Sequence, residues 1–150
     1  MKLKAWLKAF RLRTLPLAVS GILLGGFLGY TQEMNWLVFV LAILTTISLQ
    51  ILSNLANDYG DFEKGTDDEN RVGPERAMQA GLISEKSMKR ALIVNSIICL
   101  ILGLPLVYLA LDGMNGMAIL FVLIGVGAIG AAIKYTVGKK AFAYTGLGDV

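Results

Sequence analysis

Four long apolar runs are separated by three links of very different character. Residues 1–13, M-K-L-K-A-W-L-K-A-F-R-L-R, set Leu3, Trp6, Leu7 and Phe10 at helical spacing on one face, with Lys2, Lys4, Lys8 and Arg11 between them. That pattern predicts an amphipathic helix at a membrane surface, leading into an uncleaved first span. The apolar runs predict spans over about 14–30, 36–56, 91–111 and 117–133, near the length a hydrocarbon core of ~30 Å requires. The expected fold class is all-α, a polytopic transmembrane helical bundle, and residues 1–150 read as part of a single membrane-embedded domain.

Local signals refine the four spans. The first carries Gly21, Gly25, Gly26 and Gly29 as two overlapping G-x-x-x-G patterns, which suit close helix packing or the wall of a cavity for a lipid chain. Ser84 is the expected N-cap of the third span, with Ser87 where a capping box would have Glu. Pro105 is expected to kink that span. The fourth has small residues at Gly125, Gly127, Ala128 and Gly130. Only the second span ends in polar residues: Gln50, Ser53, Asn54 and Asn57 lie close together there. Polar side chains at that depth point to a functional site.

Charge sets the expected topology. Of the 14 basic residues, five precede the first span, six lie between the second and third, and three follow the fourth, while the two short links carry none. This bias places both ends of the chain and the long link 57–83 on the cytoplasmic side of the membrane. Composition agrees: the chain is 55% hydrophobic and its mean hydropathy is +0.64, outside the range of ordinary soluble domains. The absence of histidine excludes histidine-based catalysis, histidine metal sites and haem ligation. Cys99 lies in an apolar run and reads as a small buried hydrophobe. Nothing in the pattern points to a nucleic-acid partner.

The link 57–83 carries the chemistry. It concentrates Asp58, Asp61, Glu63, Asp67, Asp68, Glu69 and Glu75 with Lys64, Arg71 and Arg76. If the second span's helix runs on past Ala56, then Asn54, Asn57/Asp58 and Asp61 fall three or four apart on one face. Carboxylates on adjacent turns suit magnesium, which takes a couple of carboxylates and fills its shell with water and substrate phosphates. Arg71 and Arg76 are placed to give bidentate donors to the same diphosphate. A solvated loop of mixed charge is the plainer alternative, and the polar helix end counts against it. A calcium loop fails on the spacing of Asp61, Glu63 and Gly65. The D-x-x-D-G pattern of the CDP-alcohol phosphotransferases fails because Phe62 follows Asp61.

The run N-D-Y-G-D-F-E-K-G-T-D from Asn57, continued by R-V-G-P-E-R-A-M-Q-A-G-L-I-S, resembles the first aspartate-rich motif of the UbiA-type intramembrane prenyltransferases. The continuation is similar to the branch that prenylates 1,4-dihydroxy-2-naphthoate on the way to menaquinone. R-L-R-T-L-P-L-A at 11–18, Q-I-L-S-N-L-A-N-D-Y-G-D at 50–61 and Y-T-V-G-K-K…Y-T-G-L-G-D at 135–149 extend the resemblance over essentially the whole chain. It implies a bundle of about nine spans around a lateral cavity, in which magnesium assists ionisation of a polyprenyl diphosphate and an aromatic ring attacks the allylic cation. In the naphthoate branch the ring loses its carboxylate, giving demethylmenaquinone. Carried over by position, Asn57, Asp58, Asp61 and Asp67 hold magnesium. Arg11, Asn54, Lys64, Arg71 and Arg76 bind the diphosphate. Asp58, Asp61 and Tyr135 are the catalytic candidates, Tyr135 offering an aromatic face to a cation or serving only as packing.

Two departures stand out. The third aspartate position of many members is Gly65 here, with Asp67 two residues on, a G-x-D form common in the naphthoate branch. The family's second aspartate-rich motif has no match in these residues, so the chain is expected to be an N-terminal portion that is not a complete enzyme. Rival readings are a transferase for another aromatic acceptor such as 4-hydroxybenzoate, a cation channel or transporter with an acidic mouth, and a non-catalytic assembly partner.

Overall fold

The computed structural model describes residues 2–29, 34–65 and 76–146. These are helical, with no strand among the described residues. The helices are α1 (Lys2–Phe10), α2 (Leu15–Leu28), α3 (Trp36–Lys64), α4 (Glu85–Ala110) and α5 (Gly116–Lys134), with 3-10 turns at Leu12–Thr14 and Phe142–Tyr144. Four runs are long and apolar enough to cross a membrane: Leu3–Leu28, Trp36–Lys64, Glu85–Ala110 and Gly116–Lys134.

α3 is the hub, because α1, α2, α4 and α5 all pack on it. Asn35 starts it, its side-chain oxygen accepting the Val38 N–H at 3.2 Å. The helix does not stop near Ala56 but continues to Lys64, where Gly65 takes φ 66 and its N–H bonds back to the Asp61 and Phe62 carbonyls. Gly65 takes this left-handed stop without strain. The first part of the link 57–83 is therefore helix, and Asn57, Asp58 and Asp61 ride on its last turns.

Caps and connections follow local chemistry. Ser84 accepts the Ser87 N–H at 3.3 Å and starts α4, which runs unbroken through Pro105. Asn115 accepts the Ala118 N–H at 2.9 Å and starts α5. α4 is joined to α3 by polar contacts at the depth of the apolar spans. Asn95 Nδ2 donates to the Ser48 carbonyl at 2.8 Å, and Ser48 Oγ lies 3.1 Å from Cys99 Sγ. Cys99 is buried, so its expected place in the packing holds.

Packing divides both α1 and α2 by face. The face of α1 that meets the protein is centred on Ala5 and Ala9, both buried, whereas Leu3 and Leu7 are exposed. Alanine lets α1 approach closely, and Trp6 and Phe10 flank that contact as partly buried residues. The glycines of α2 also divide. A Cβ on Gly26 would strike the Phe39 ring, while Gly21 and Gly25 have nothing within 4 Å. Gly21, Gly25, Gly26 and Gly29 line a cleft of about 390 Å³ between α2 and α3.

Candidate functional site

Burial along α3 begins at Ser48 and takes in Leu52, Asn54, Leu55, Ala56, Asp58, Tyr59 and Gly60. Asp58 is a buried carboxylate with 2% of its surface exposed. A carboxylate is rarely buried unless its charge is compensated. Around it the last turns of α3 are enclosed from two directions in the sequence.

From one side comes Arg76, just after the Asp-rich link. Its guanidinium pairs with Asp61, and both side chains are nearly enclosed, at 12% and 13% exposure. It also donates to the Asn57 carbonyl at 2.8 Å. One cation therefore bridges the two turns that carry Asn57 and Asp61.

From the other side comes the segment after α5. Thr136 is buried and donates its hydroxyl to the Ala56 carbonyl at 2.8 Å, with the Asn57 side-chain oxygen 3.3 Å away. Gly60 makes this approach possible, since a Cβ there would lie 2.5 Å from Thr136 Cβ and 2.6 Å from its carbonyl carbon. The Gly138 N–H donates to Glu63 at 3.3 Å. The Tyr144 hydroxyl donates to Asp61, and Lys64 Nζ lies 5.7 Å from the centre of the Tyr144 ring. The segment is folded on itself by the Ala143 N–H donating to the Tyr135 carbonyl at 2.9 Å.

The sequence candidates are thus placed unequally. Asn57, Asp58, Asp61, Lys64 and Arg76 come together at the charged end of α3. Asp67 and Arg71 lie outside the described residues. Tyr135 sits at the end of α5, 39% exposed, one residue before the threonine that touches α3. The hydroxyl that reaches Asp61 belongs to Tyr144. Asn54 faces a different neighbour: its Nδ2 donates to the Phe10 carbonyl at 2.9 Å and to Thr14 Oγ1 at 3.0 Å. It therefore grips the joint where Arg11 sits, one helical turn before Asp58. Tyr144, Thr136 and Gly60 were missed as site residues. The signal for Tyr144 was the near-repeat of Tyr135-Thr136-Val137-Gly138 in Tyr144-Thr145-Gly146.

Chemically, this end of α3 offers two carboxylates and a carboxamide as hard oxygen donors, with cationic and phenolic donors at its rim. Among the described residues no three acidic, cysteine or histidine side chains cluster closely enough to cage a metal ion on their own. The donor set fits an ion that takes a couple of carboxylates and completes its shell with water and phosphate oxygens.

Residues 18–148 match the model of the UbiA prenyltransferase family. The chain is 47% identical to a 1,4-dihydroxy-2-naphthoate octaprenyltransferase of Haemophilus influenzae, covering 99% of this chain and 49% of that protein. It is 46% identical to the Escherichia coli protein of the same name, covering 98% and 48%. With the Mycobacterium leprae protein of that name it shares 33% identity, over 97% and 47%. The chain spans about half the length of these relatives. No solved structure matches it.

Proposed function

The chain belongs to the UbiA prenyltransferase family, and we propose that it supplies one aspartate-rich pole of a 1,4-dihydroxy-2-naphthoate polyprenyltransferase. The observation that carries this reading is the meeting of Asp58, Asp61 and Arg76 at the end of a membrane-length helix. The names of relatives in several bacteria support the choice of acceptor. The charged end of the bundle faces the cytoplasm of the inner membrane in this reading, as the one-sided basic bias requires. The substrates are a polyprenyl diphosphate and the dihydroxynaphthoate, and the bilayer receives the prenyl tail.

Family members depend on a divalent metal, and magnesium is the ion proposed here. Asp58, Asp61 and Asn57 would hold it, with Asp67 a further candidate. When bound, magnesium neutralises charge on the departing diphosphate. Arg76 adds a fixed cation beside Asp61, and Arg11, Lys64 and Arg71 are the other proposed diphosphate contacts. Preorganised charge of this kind is often the largest single contribution to lowering a barrier. The allylic C–O bond breaks and its electron pair leaves with the diphosphate. The ring carbon bearing the carboxylate bonds to the allylic carbon. Loss of carbon dioxide returns the electron pair to the ring, so no external oxidant is needed up to the prenylated diol. Demethylmenaquinone is the two-electron oxidised form of that diol and lies beyond the transfer step. Tyr135 and Tyr144 lie on the segment that packs against this end, and their faces can stabilise the allylic cation.

The test is turnover by the full-length protein in lipid nanodiscs, supplied with a polyprenyl diphosphate, magnesium and either acceptor. Prenylated naphthalenediol with release of diphosphate is the expected result. Product from 4-hydroxybenzoate alone would overturn the choice of acceptor, and no product from either would overturn the reading.

A further inference from the structure

Asn54 is 3% exposed and stands where α1 turns into α2. Both hydrogens of its Nδ2 are committed inside the chain, to the Phe10 carbonyl at 2.9 Å and Thr14 Oγ1 at 3.0 Å. Its Oδ1 accepts from Gln50 Nε2 at 3.4 Å. Thr14 in turn donates its hydroxyl to the Arg11 carbonyl at 2.9 Å. Five residues, Phe10, Arg11, Thr14, Gln50 and Asn54, thus form one connected polar network across two helices and their joint.

The residue inside that network is Arg11, with φ 50 and ψ 59. Non-glycine residues seldom take this left-handed conformation, and it persists only where surrounding contacts over-determine it. The contacts here are visible: Asn54 holds the carbonyl before Arg11, and Thr14 holds the carbonyl of Arg11 itself. The joint is then not a passive bend. A helix continued through residue 11 would point its side chain elsewhere, because the side-chain direction follows φ and ψ. Asp58 stands four residues after Asn54, ~6 Å further along the same face of α3. The network therefore fixes the backbone of residue 11 about one helical turn from Asp58.

We propose that Asn54, acting with Thr14, is a positioning residue that locks Arg11 in its left-handed backbone and so aims the guanidinium at the diphosphate of the prenyl donor. This rests on the prenyl-transfer reading above. It gives Asn54 a role distinct from direct contact with the diphosphate, because its amide hydrogens are already occupied. It also explains why the R-L-R-T-L-P-L-A and Q-I-L-S-N stretches belong together: they are the two halves of one clamp, 40 and 44 residues apart across its two bonds.

The experiment is a double-mutant cycle in the full-length protein, reading the KM of donor and acceptor separately. The variants are Asn54→Ala, Thr14→Val and Thr14→Ser, each alone and combined with Arg11→Ala. Detergent-solution melting checks the fold. A small misplacement of a binding group costs ten- to a hundredfold, so Asn54→Ala and Thr14→Val should raise the donor KM about tenfold. The acceptor KM should stay within about twofold, and Thr14→Ser, which keeps the hydroxyl, should restore the donor KM. On the Arg11→Ala background Asn54→Ala should add less than about twofold, the sign of coupled residues. Multiplicative losses with Arg11→Ala, or donor and acceptor KM rising together, would overturn the proposal and leave Asn54 a simple staple. If Asn54→Ala does not fold, the Thr14 pair decides the same question. An active wild type whose Arg11→Ala variant keeps its donor KM overturns this proposal alone. A wild type that transfers no prenyl group overturns it together with the functional reading.

Discussion

The two ends of α3 are built by opposite rules. From Trp36 to Leu44 the helix is strongly apolar, yet Trp36, Leu37, Val40 and Leu44 are exposed. From Ser48 to Gly60 it carries serine, asparagine, aspartate and tyrosine, and there its buried residues lie. The other spans repeat the contrast: α2 has no buried residue and α5 only Ala118. In a soluble protein apolar residues go inside first. Among lipid tails an exposed leucine costs nothing, so helices associate through close contact and hydrogen bonds instead. Backbone and side-chain polar groups are what cannot be left unsatisfied there. The charged end of the bundle is packed like a globular core because its residues need partners, and that packing is what holds the geometry of the candidate site.

The contrast can be broken most severely at its chemical centre. Asp61→Asn in the full-length protein keeps the side chain's shape and removes its charge. Prenyl transfer should fall on the order of a hundredfold or more, the scale seen when a preorganised electrostatic group is lost, and the melting temperature should fall as well, because Arg76 loses its nearly enclosed carboxylate partner. Chelating the divalent metal should abolish turnover, and added magnesium should restore it. A smaller effect is expected from packing alone. Gly60→Ala drives a methyl into the Thr136 backbone and should cost about 1–3 kcal/mol in unfolding, with the segment after α5 displaced. Gly127→Ala, which meets nothing within 4 Å, should stay within about 0.5 kcal/mol. Ser48→Ala removes the hydroxyl beside Cys99 while the Asn95 bond to the backbone remains. It should cost about 0.6 kcal/mol, the average for such bonds in membranes.

The same contrast governs what could be read from the sequence. The number of spans was legible, because length and apolarity alone define them. So was the site on α3, because Asn57, Asp58 and Asp61 lie within one short run whose helical spacing is fixed. The packing faces were not. When every face of a helix is apolar, periodicity carries no information, and the glycines of α5 meet open space rather than a neighbour. On α1 the buried stripe is the pair of alanines, the least conspicuous apolar residues. The left-handed turn at Arg11 carries no glycine or asparagine to announce it. Thr136 and Tyr144 approach α3 from about 80 residues away, and only the folded chain shows that distance closing.

The central claim is that the last turns of α3 hold a metal–diphosphate complex. Manganese substituted for magnesium makes this directly visible by electron paramagnetic resonance of the full-length protein with a non-hydrolysable polyprenyl diphosphate analogue. The account predicts that manganese binds when the analogue is present and that Asp61→Asn lowers this affinity at least about tenfold, as expected on losing a ligand or its orienting partner. Equal manganese binding by wild type and Asp61→Asn, with analogue present, would contradict it.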